Sequence, residues 1–308
     1  MTPVELPAAS GGAVARERST SPGRVEEERL ILVGKTSYIG GRLSQYMTAH
    51  GAKQMTSLSS GDCNFLEWDQ VARFFTSLDR RPSTLVFLAV INKPAANSFQ
   101  SYVENIQMVK HLIEGQKLSP INAILYFSSI DVYGRPPHLP LTEQSPINPE
   151  SWYALAKYTC EWMLRCSGEV RCPVTILRIP GVYGWAPHDK SIIGQMISRI
   201  RATQRATIHG SGTVLRDYVY VDDLCRLVSA LLPVRYDGVL NVATGRSYHL
   251  REIMKLVRDV LHLDFEIVHD EPDPQRDFDL AFDTRKLTSL IPSFQFSEMA
   301  LGIRSYLL

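Results

Sequence analysis

Apolar and polar positions along this chain follow two rhythms, and the switch between them is the first sign of a fold. Leu30–Val33 is a short continuous apolar run, as expected of a strand buried on both faces. A turn follows at Gly34–Ser37. An amphipathic stretch then runs from Tyr38 to His50, where Gly51 is suited to end a helix. Lys53–Leu58 reads as a second strand and Leu66–Leu78 as a second helix. TLVFLAV (84–90) and AILYFSS (123–129) are two further apolar, partly β-branched runs. Between them Ser98–Glu114 carries helical spacing at Val103, Ile106, Val109 and Ile113. PVTILRI (173–179) is another strand. Strands alternating with helices predict an α/β fold built on a doubly wound parallel sheet.

After about Gly184 the pattern shortens. ATIHG (206–210), YVYV (218–221), a helix over Asp222–Leu232, VLNVA (239–243) and a helix over Leu250–Leu261 alternate with loops. The organisation expected is a first domain over 29–184 and a smaller lobe over 185–308, with segments returning to the first domain. Residues 1–28 are rich in Pro, Gly, Ser and charge, lack the apolar core of a signal peptide, and read as a disordered tail.

Bulk properties narrow the partners. The chain has 308 residues, 44% of them hydrophobic, enough for a sizeable core. A formal charge of +1 gives no field of one sign for nucleic acid or an anionic membrane. No apolar run approaches the roughly 20 residues of a membrane helix. The five cysteines form no C-x-x-C pair and no zinc spacing, so no metal site is expected. Their odd number without a secretory signal fits the cytoplasm.

The first strand-to-helix turn, GKTSYIG, is bracketed by Gly34 and Gly40. Free backbone N–H groups and a helix's positive end make such a turn suited to a dinucleotide pyrophosphate. Ser37 stands where a middle glycine is usual. The second strand ends SLSSGD, with Ser59 and Ser60 where an acidic residue usually bonds the ribose 2′-hydroxyl of NAD. Small hydroxyl residues, with Arg42 or Lys35 alongside, tolerate a 2′-phosphate and tilt the reading toward NADP(H) over NAD. Asp62, one step late, meets the adenine amino group or is a loop aspartate.

INPESWYALAKYTCEW (147–162) sets Tyr153 and Lys157 four apart, on one face of a helix. Pro149 suits a first helical turn, and nothing from Trp152 to Leu164 breaks a helix. YFSSIDVYG (126–134) brings Ser129 to the carboxyl end of a predicted central strand, where open α/β sheets bind ligands. An ammonium beside a phenol favours the phenolate and lowers its pKa. The phenol can then give or take a proton at a substrate oxygen while a nicotinamide moves hydride at the adjacent carbon. Ser129 would fix the same oxygen. Taken alone, the Tyr–Lys pair reads first as a stray pair on a surface helix.

The ordered set of motifs resembles the extended short-chain dehydrogenase/reductase family, specifically its nucleotide-sugar epimerase, dehydratase and ketoreductase branch, over about residues 29–307. The resemblance implies a Rossmann-type domain followed by a substrate lobe. It implies Ser129 and Tyr153 as catalytic groups, and Lys157 as the residue that holds the cofactor ribose and lowers the phenol pKa. It places cofactor contacts at Gly34, Ser37, Tyr38, Ile39, Gly40, Ser59, Asp62 and Ala89, for NADP or NAD. GSGTVLRDYVYVDD (210–223) and DPQRDFDLAFDTRKL (273–287) are similar to the substrate-lobe segments, so Arg216 and Arg276 are the expected grips on a diphosphate. Planar guanidinium forks suit that group. Tyr183, in LRIPGVYG (177–184), lines the sugar pocket or packs the hinge. Asp222 and Asp223 are expected to cap the helix after them. Family members pair through two helices, here Ser98–Glu114 and Trp152–Ser167, so a homodimer is implied.

Relatives that dehydrate sugars at C4–C6 carry Asp-Glu directly after the catalytic Ser or Thr. Here the pair is Ile130-Asp131, and isoleucine has no proton to give. Asp131 remains a base or a loop contact. The expectation is therefore a 4-ketoreductase or C4 epimerase acting on a nucleotide sugar. A dehydratase using Asp131, a non-catalytic dinucleotide sensor, and an enzyme for a non-nucleotide carbonyl stay as rivals.

Overall fold

Six short strands lie side by side, all parallel, in the order β10-β5-β4-β3-β1-β2. They are β1 (Arg29–Val33), β2 (Met55–Leu58), β3 (Ser83–Phe87), β4 (Ile121–Ser129), β5 (Val174–Ile179) and β10 (Gly238–Asn241). The computed structural model describes residues 28–52, 54–91, 97–187, 189–209, 212–270 and 278–307. The tail expected over 1–28 lies, apart from Glu28, outside the described residues. Mixed α/β layering with this sheet is the doubly wound fold expected from the alternating pattern, and the Rossmann-like architecture that the resemblance implied.

Continuous apolar strands demand cover on both faces. On one face α2 (Trp68–Ser77), α3 (Phe99–Gly115) and α4 (Trp152–Cys166) bring Phe75, Leu112 and Cys160 onto Ile31, Leu85 and Ile124. On the other, α1 (Tyr38–Ala49) and α6 (Val221–Leu231) bring Leu43, Met47, Leu224 and Val228 onto Leu32, Leu125 and Leu177. Each fully buried aliphatic or aromatic side chain stabilises the fold by about 1.5–3 kcal/mol. The chain passes from β1 outward to β2, then returns on the other side of β1 with β3. Strand order reverses between β1 and β3, and a crevice opens beyond their carboxyl ends.

A third apolar cluster, centred on Ile193, Ile197, Ile208, Ile253, Val257 and Ile303, belongs to the elements after β5. These are β6 (Gly181–Tyr183), α5 (Ile192–Thr203), β7 (Arg205–His209), β8 (Leu215–Arg216), β9 (Tyr218–Tyr220), β11 (Tyr248–His249), α7 (Leu250–Leu261), β12 (Glu266–Asp270), α8 (Arg285–Leu290) and α9 (Met299–Arg304). Small two-stranded pairings β6–β9, β7–β12 and β8–β11 tie them together. Within this stretch α6, α8 and β10 return to the main sheet.

Several helix ends differ from the sequence reading for local reasons. Ser151, not Pro149, begins α4, and its hydroxyl accepts the Ala154 N–H at 3.1 Å. Ser98 caps α3 through a reciprocal bond with Ser101. Asp222 and Asp223 sit inside the first turn of α6 and do not cap it. Asp222 instead takes two bonds from the Arg42 guanidinium, at 2.5 and 2.8 Å. Asp223 holds Ser297 through its N–H at 2.6 Å and its hydroxyl at 2.8 Å.

Buried charge fixes α4 against the sheet. Glu161 on α4 and Arg178 on β5 pair at 2.7 Å with both side chains only 4% exposed. Ser128, at the end of β4, donates to the same carboxylate. Arg178 also reaches the Tyr133 hydroxyl at 2.9 Å, which donates to Asn241 on β10 at 2.7 Å. Removing one partner of such a pair strands a buried charge. We expect Arg178→Met to lower the urea-unfolding free energy by about 3–5 kcal/mol, and Glu161→Leu in the same chain to recover most of that loss. A single variant within 1 kcal/mol of the parent would show that the pair does not fix the helix.

Candidate active site

Three elements bring the expected chemical groups to one cleft at the carboxyl ends of β1, β3, β4 and β5. Its lining includes Ser37, Tyr38 and Ile39 from the glycine turn, Ser129 from β4, and Tyr153 and Lys157 from α4. Ser129, Tyr153 and Lys157, read from separate motifs, therefore share one wall.

The glycine turn is shaped by contact rather than by composition. Gly34 has φ +108°, in the region that favours glycine. A side chain at Gly40 would place its Cβ 2.1 Å from the Gly34 carbonyl oxygen, so only glycine fits there. Ser37 has an ordinary φ of −74° and needs no glycine; its hydroxyl donates to the Gly34 carbonyl at 2.8 Å and accepts the Gly40 N–H at 3.1 Å, capping α1. The first residues of the helix, Tyr38 and Ile39, have N–H groups without intrahelical acceptors and line the cleft. This cradle fits a dinucleotide pyrophosphate. Ala89, after β3, faces the same turn: a Cβ on Gly34 would lie 3.1 Å from its N–H.

At the end of β2, Asp62 accepts from the Ser59 N–H at 2.8 Å and the Ser59 hydroxyl at 2.6 Å, and pairs with Lys35 at 2.8 Å. Those contacts hold its carboxyl below the usual range, the Lys35 bond first and then the Ser59 bonds. Arg42, read as a neighbour for a 2′-phosphate, is committed to Asp222. Lys35 is the cation that stands at the end of β2.

Lys157 is 4% exposed, and its ammonium donates to the Phe127 carbonyl at 2.6 Å. It lies 5.0 Å from the Tyr126 ring centre and 5.9 Å from that of Tyr153. Burial pulls its pKa down to about 8, against smaller upward pushes from Cys160 and Glu161. Ser129 accepts the Asp131 N–H at 3.1 Å, and it lines the cleft beside the Tyr153 phenol. The expectation that Lys157 brings this phenol toward neutrality is not met by the protein's own groups. Burial raises the Tyr153 pKa, the Asp131 charge raises it further, and the Ser129 hydroxyl offsets only part. With these groups alone the phenol stays protonated and is a proton donor.

Other expected site residues lie elsewhere. Ile130 is buried among Val132, Leu141 and Leu280, turned from the cleft as well as lacking a proton. Asp131 is exposed and acts on the cleft through its charge. Tyr183, read as lining the sugar pocket or packing the hinge, is 1% exposed in the lobe core, and its hydroxyl donates to the Met299 carbonyl at 3.2 Å. Arg216 is outside the cleft lining; its guanidinium stacks 4.9 Å from the Phe278 ring centre and donates to the Phe278 carbonyl. Arg276 lies outside the described residues. Lys190 and Ser191 line the cleft and carried no sequence signal beyond a loop lysine before a helix.

Comparison with known proteins gives this arrangement a context. The model of the NAD dependent epimerase/dehydratase family matches residues 30–243. A protein of Methanocaldococcus jannaschii is 28% identical over 192 residues, 60% of this chain, and the match spans 62% of that relative's length. A UDP-glucose 4-epimerase of Mycolicibacterium smegmatis is 28% identical over 252 residues, covering 73% of this chain and 80% of its own. Among solved structures, RMD from Pseudomonas aeruginosa, in complex with NADPH, is similar at a TM-score of 0.78 and 22% identity, covering 91% of this chain and 97% of that one. The last is a likeness of fold. Among the described residues no helix is long and apolar enough to cross a membrane.

The depressed pKa of Lys157 has a readable consequence. Its folded value of about 8 lies below the unfolded value of about 10.4. Between those values the unfolded chain binds more protons, so this group's contribution to stability rises with pH across that window. We expect the unfolding free energy of the parent, relative to Lys157→Met, to climb by up to ~1.4 kcal/mol per pH unit from pH 8 to 10. A flat difference would mean that the lysine is not desolvated.

Proposed function

Because the chain belongs to the NAD-dependent epimerase/dehydratase family, we propose that it is an NAD(P)-dependent enzyme acting on a nucleotide-diphosphate sugar, as a 4-ketoreductase or C4 epimerase. The observation that carries this reading is that Ser129, Tyr153 and Lys157 line one cleft together with Ser37, Tyr38 and Ile39 of the glycine turn. A nicotinamide dinucleotide, when bound, supplies or takes the hydride. This chain's residues do the rest. The turn from Gly34 to Gly40 receives the pyrophosphate. Ser129 orients the substrate oxygen, and the Tyr153 hydroxyl passes it a proton. Lys157 holds a ribose hydroxyl and keeps a positive charge beneath the site. Serine in place of an acidic residue at position 59 favours NADP(H), the cofactor a reductase exchanges at each turnover.

Arg216, and Arg276 two residues before Phe278, are the proposed contacts for the diphosphate. Asp131 supports a second reading: its charge reaches Tyr153, and a base at that place suits proton abstraction in a dehydration. A cytoplasmic location is kept as part of the proposal.

We expect Tyr153→Phe to lose about 10²–10⁴ in kcat while still binding the dinucleotide. The substrate is found by native mass spectrometry of the protein with a panel of nucleotide sugars. Gain of two hydrogens marks a reductase, an unchanged mass with an inverted centre by NMR an epimerase, and loss of water the dehydratase. Full activity in Tyr153→Phe, or no sugar retained or altered, would overturn the reading.

A homodimer is part of the same proposal. Phe99 and Val103 on α3 and Trp152 and Trp162 on α4 are exposed, and the Phe99 and Trp152 rings meet edge-on at 5.4 Å. Exposed aromatic clusters of this kind mark association surfaces. Light scattering is expected to give twice the chain mass, and Phe99→Glu with Trp152→Glu to give the single chain. A monomeric parent would rule the dimer out.

A further inference from the structure

The described charges lining the active cleft are all positive, and one of them has no part in the mechanism above. Among the described residues, Lys157 and Lys190 are the lining residues with a formal charge, and no aspartate or glutamate lines it. Lys157 is buried and its ammonium is taken by the Phe127 carbonyl. Lys190 is exposed, and it lines the same cleft as Ser37, Tyr38 and Ile39 of the glycine turn.

Neighbouring bonds hold the backbone on either side of Lys190. Asp189 accepts the Ser191 N–H at 2.7 Å and the Tyr306 hydroxyl at 2.8 Å. That hydroxyl in turn accepts the Gly184 N–H at 2.9 Å. The Gly184 carbonyl accepts the Tyr38 hydroxyl at 2.6 Å, so this wall is bonded directly to the first residue of α1. Lys190 is thereby carried on a wall tied to the pyrophosphate turn.

We propose that Lys190 is a dinucleotide-binding residue whose ammonium pairs with the cofactor's diphosphate from the cleft wall that Tyr38 ties to α1. The glycine turn offers N–H groups to a dianion on one side. Those groups carry partial charges only, and Lys190 supplies the full charge that answers the second negative charge. An ammonium on a flexible stem is a point charge able to follow phosphate oxygens. This inference rests on the proposed dinucleotide site and adds a residue to it.

The test is isothermal titration of NADH and of NADPH into the full chain, the Lys190→Met variant and the Lys190→Arg variant. Lys190→Met is expected to weaken binding at least tenfold, with faster dissociation in stopped-flow. Lys190→Arg should stay within threefold of the parent. Raising ionic strength should weaken the parent more steeply than Lys190→Met, a difference that a merely structural residue would not produce. If the parent binds and Lys190→Met binds within twofold of it, with the same salt slope, this inference is overturned and the proposed function stands. If the parent binds neither dinucleotide, the proposed function fails and takes the inference with it.

Discussion

The cleft depends on the way α4 is held. A helix that presents a phenol and an ammonium to a ligand must not slide or roll, since a displacement of one ångström is costly to proton transfer. Glu161 lies four residues beyond Lys157, as Lys157 lies four beyond Tyr153, so all three fall on one helix face. That face is anchored at its far end by the Arg178 ion pair and in its middle by the Lys157 bond to the Phe127 carbonyl. Both anchors take partners from the strands that carry Ser128, Ser129 and Ile179 to the cleft. The sheet thus positions the serine directly and the tyrosine through charge.

Charge placed this deep constrains as much as it holds. The Glu161–Arg178 pair is desolvated and is better described as a fixing device than as a source of stability. The same dryness that lowers Lys157 raises Tyr153, and in opposite senses the two shifts disfavour charge in the site. Asp131 adds to the resistance of the phenol to ionisation. From its own groups the protein therefore offers a proton donor.

What was legible in the sequence was local. The spacing from Tyr153 to Lys157, the glycine bracket at 34 and 40, and the apolar strands each declare themselves within a few residues. Ser129 could be placed because it ends such a strand. Long-range pairings left no such trace. Arg42 looked available for a phosphate until Asp222, far along the chain, took both arms of its guanidinium. Tyr183 could equally have lined a pocket, since an aromatic after a strand looks the same in either role; the lobe core claimed it. Lys190 had no pattern around it, because its place is set by the Asp189–Tyr306–Gly184 bonds rather than by its neighbours in sequence.

The return of β10 to the main sheet has a consequence for how the chain can be divided. A fragment stopping after β6 would hold the glycine turn, Ser129, Tyr153 and Lys157, and would look self-sufficient on a linear map. In the whole protein β5 is paired on both sides, by β4 and by β10. In the fragment it would become an outer strand, six apolar-rich residues long, with one row of backbone donors and acceptors bare. Such an edge recruits other chains. Truncation would thus cost solubility before it cost chemistry, and precipitation of the shortened protein would report the missing strand rather than a damaged site.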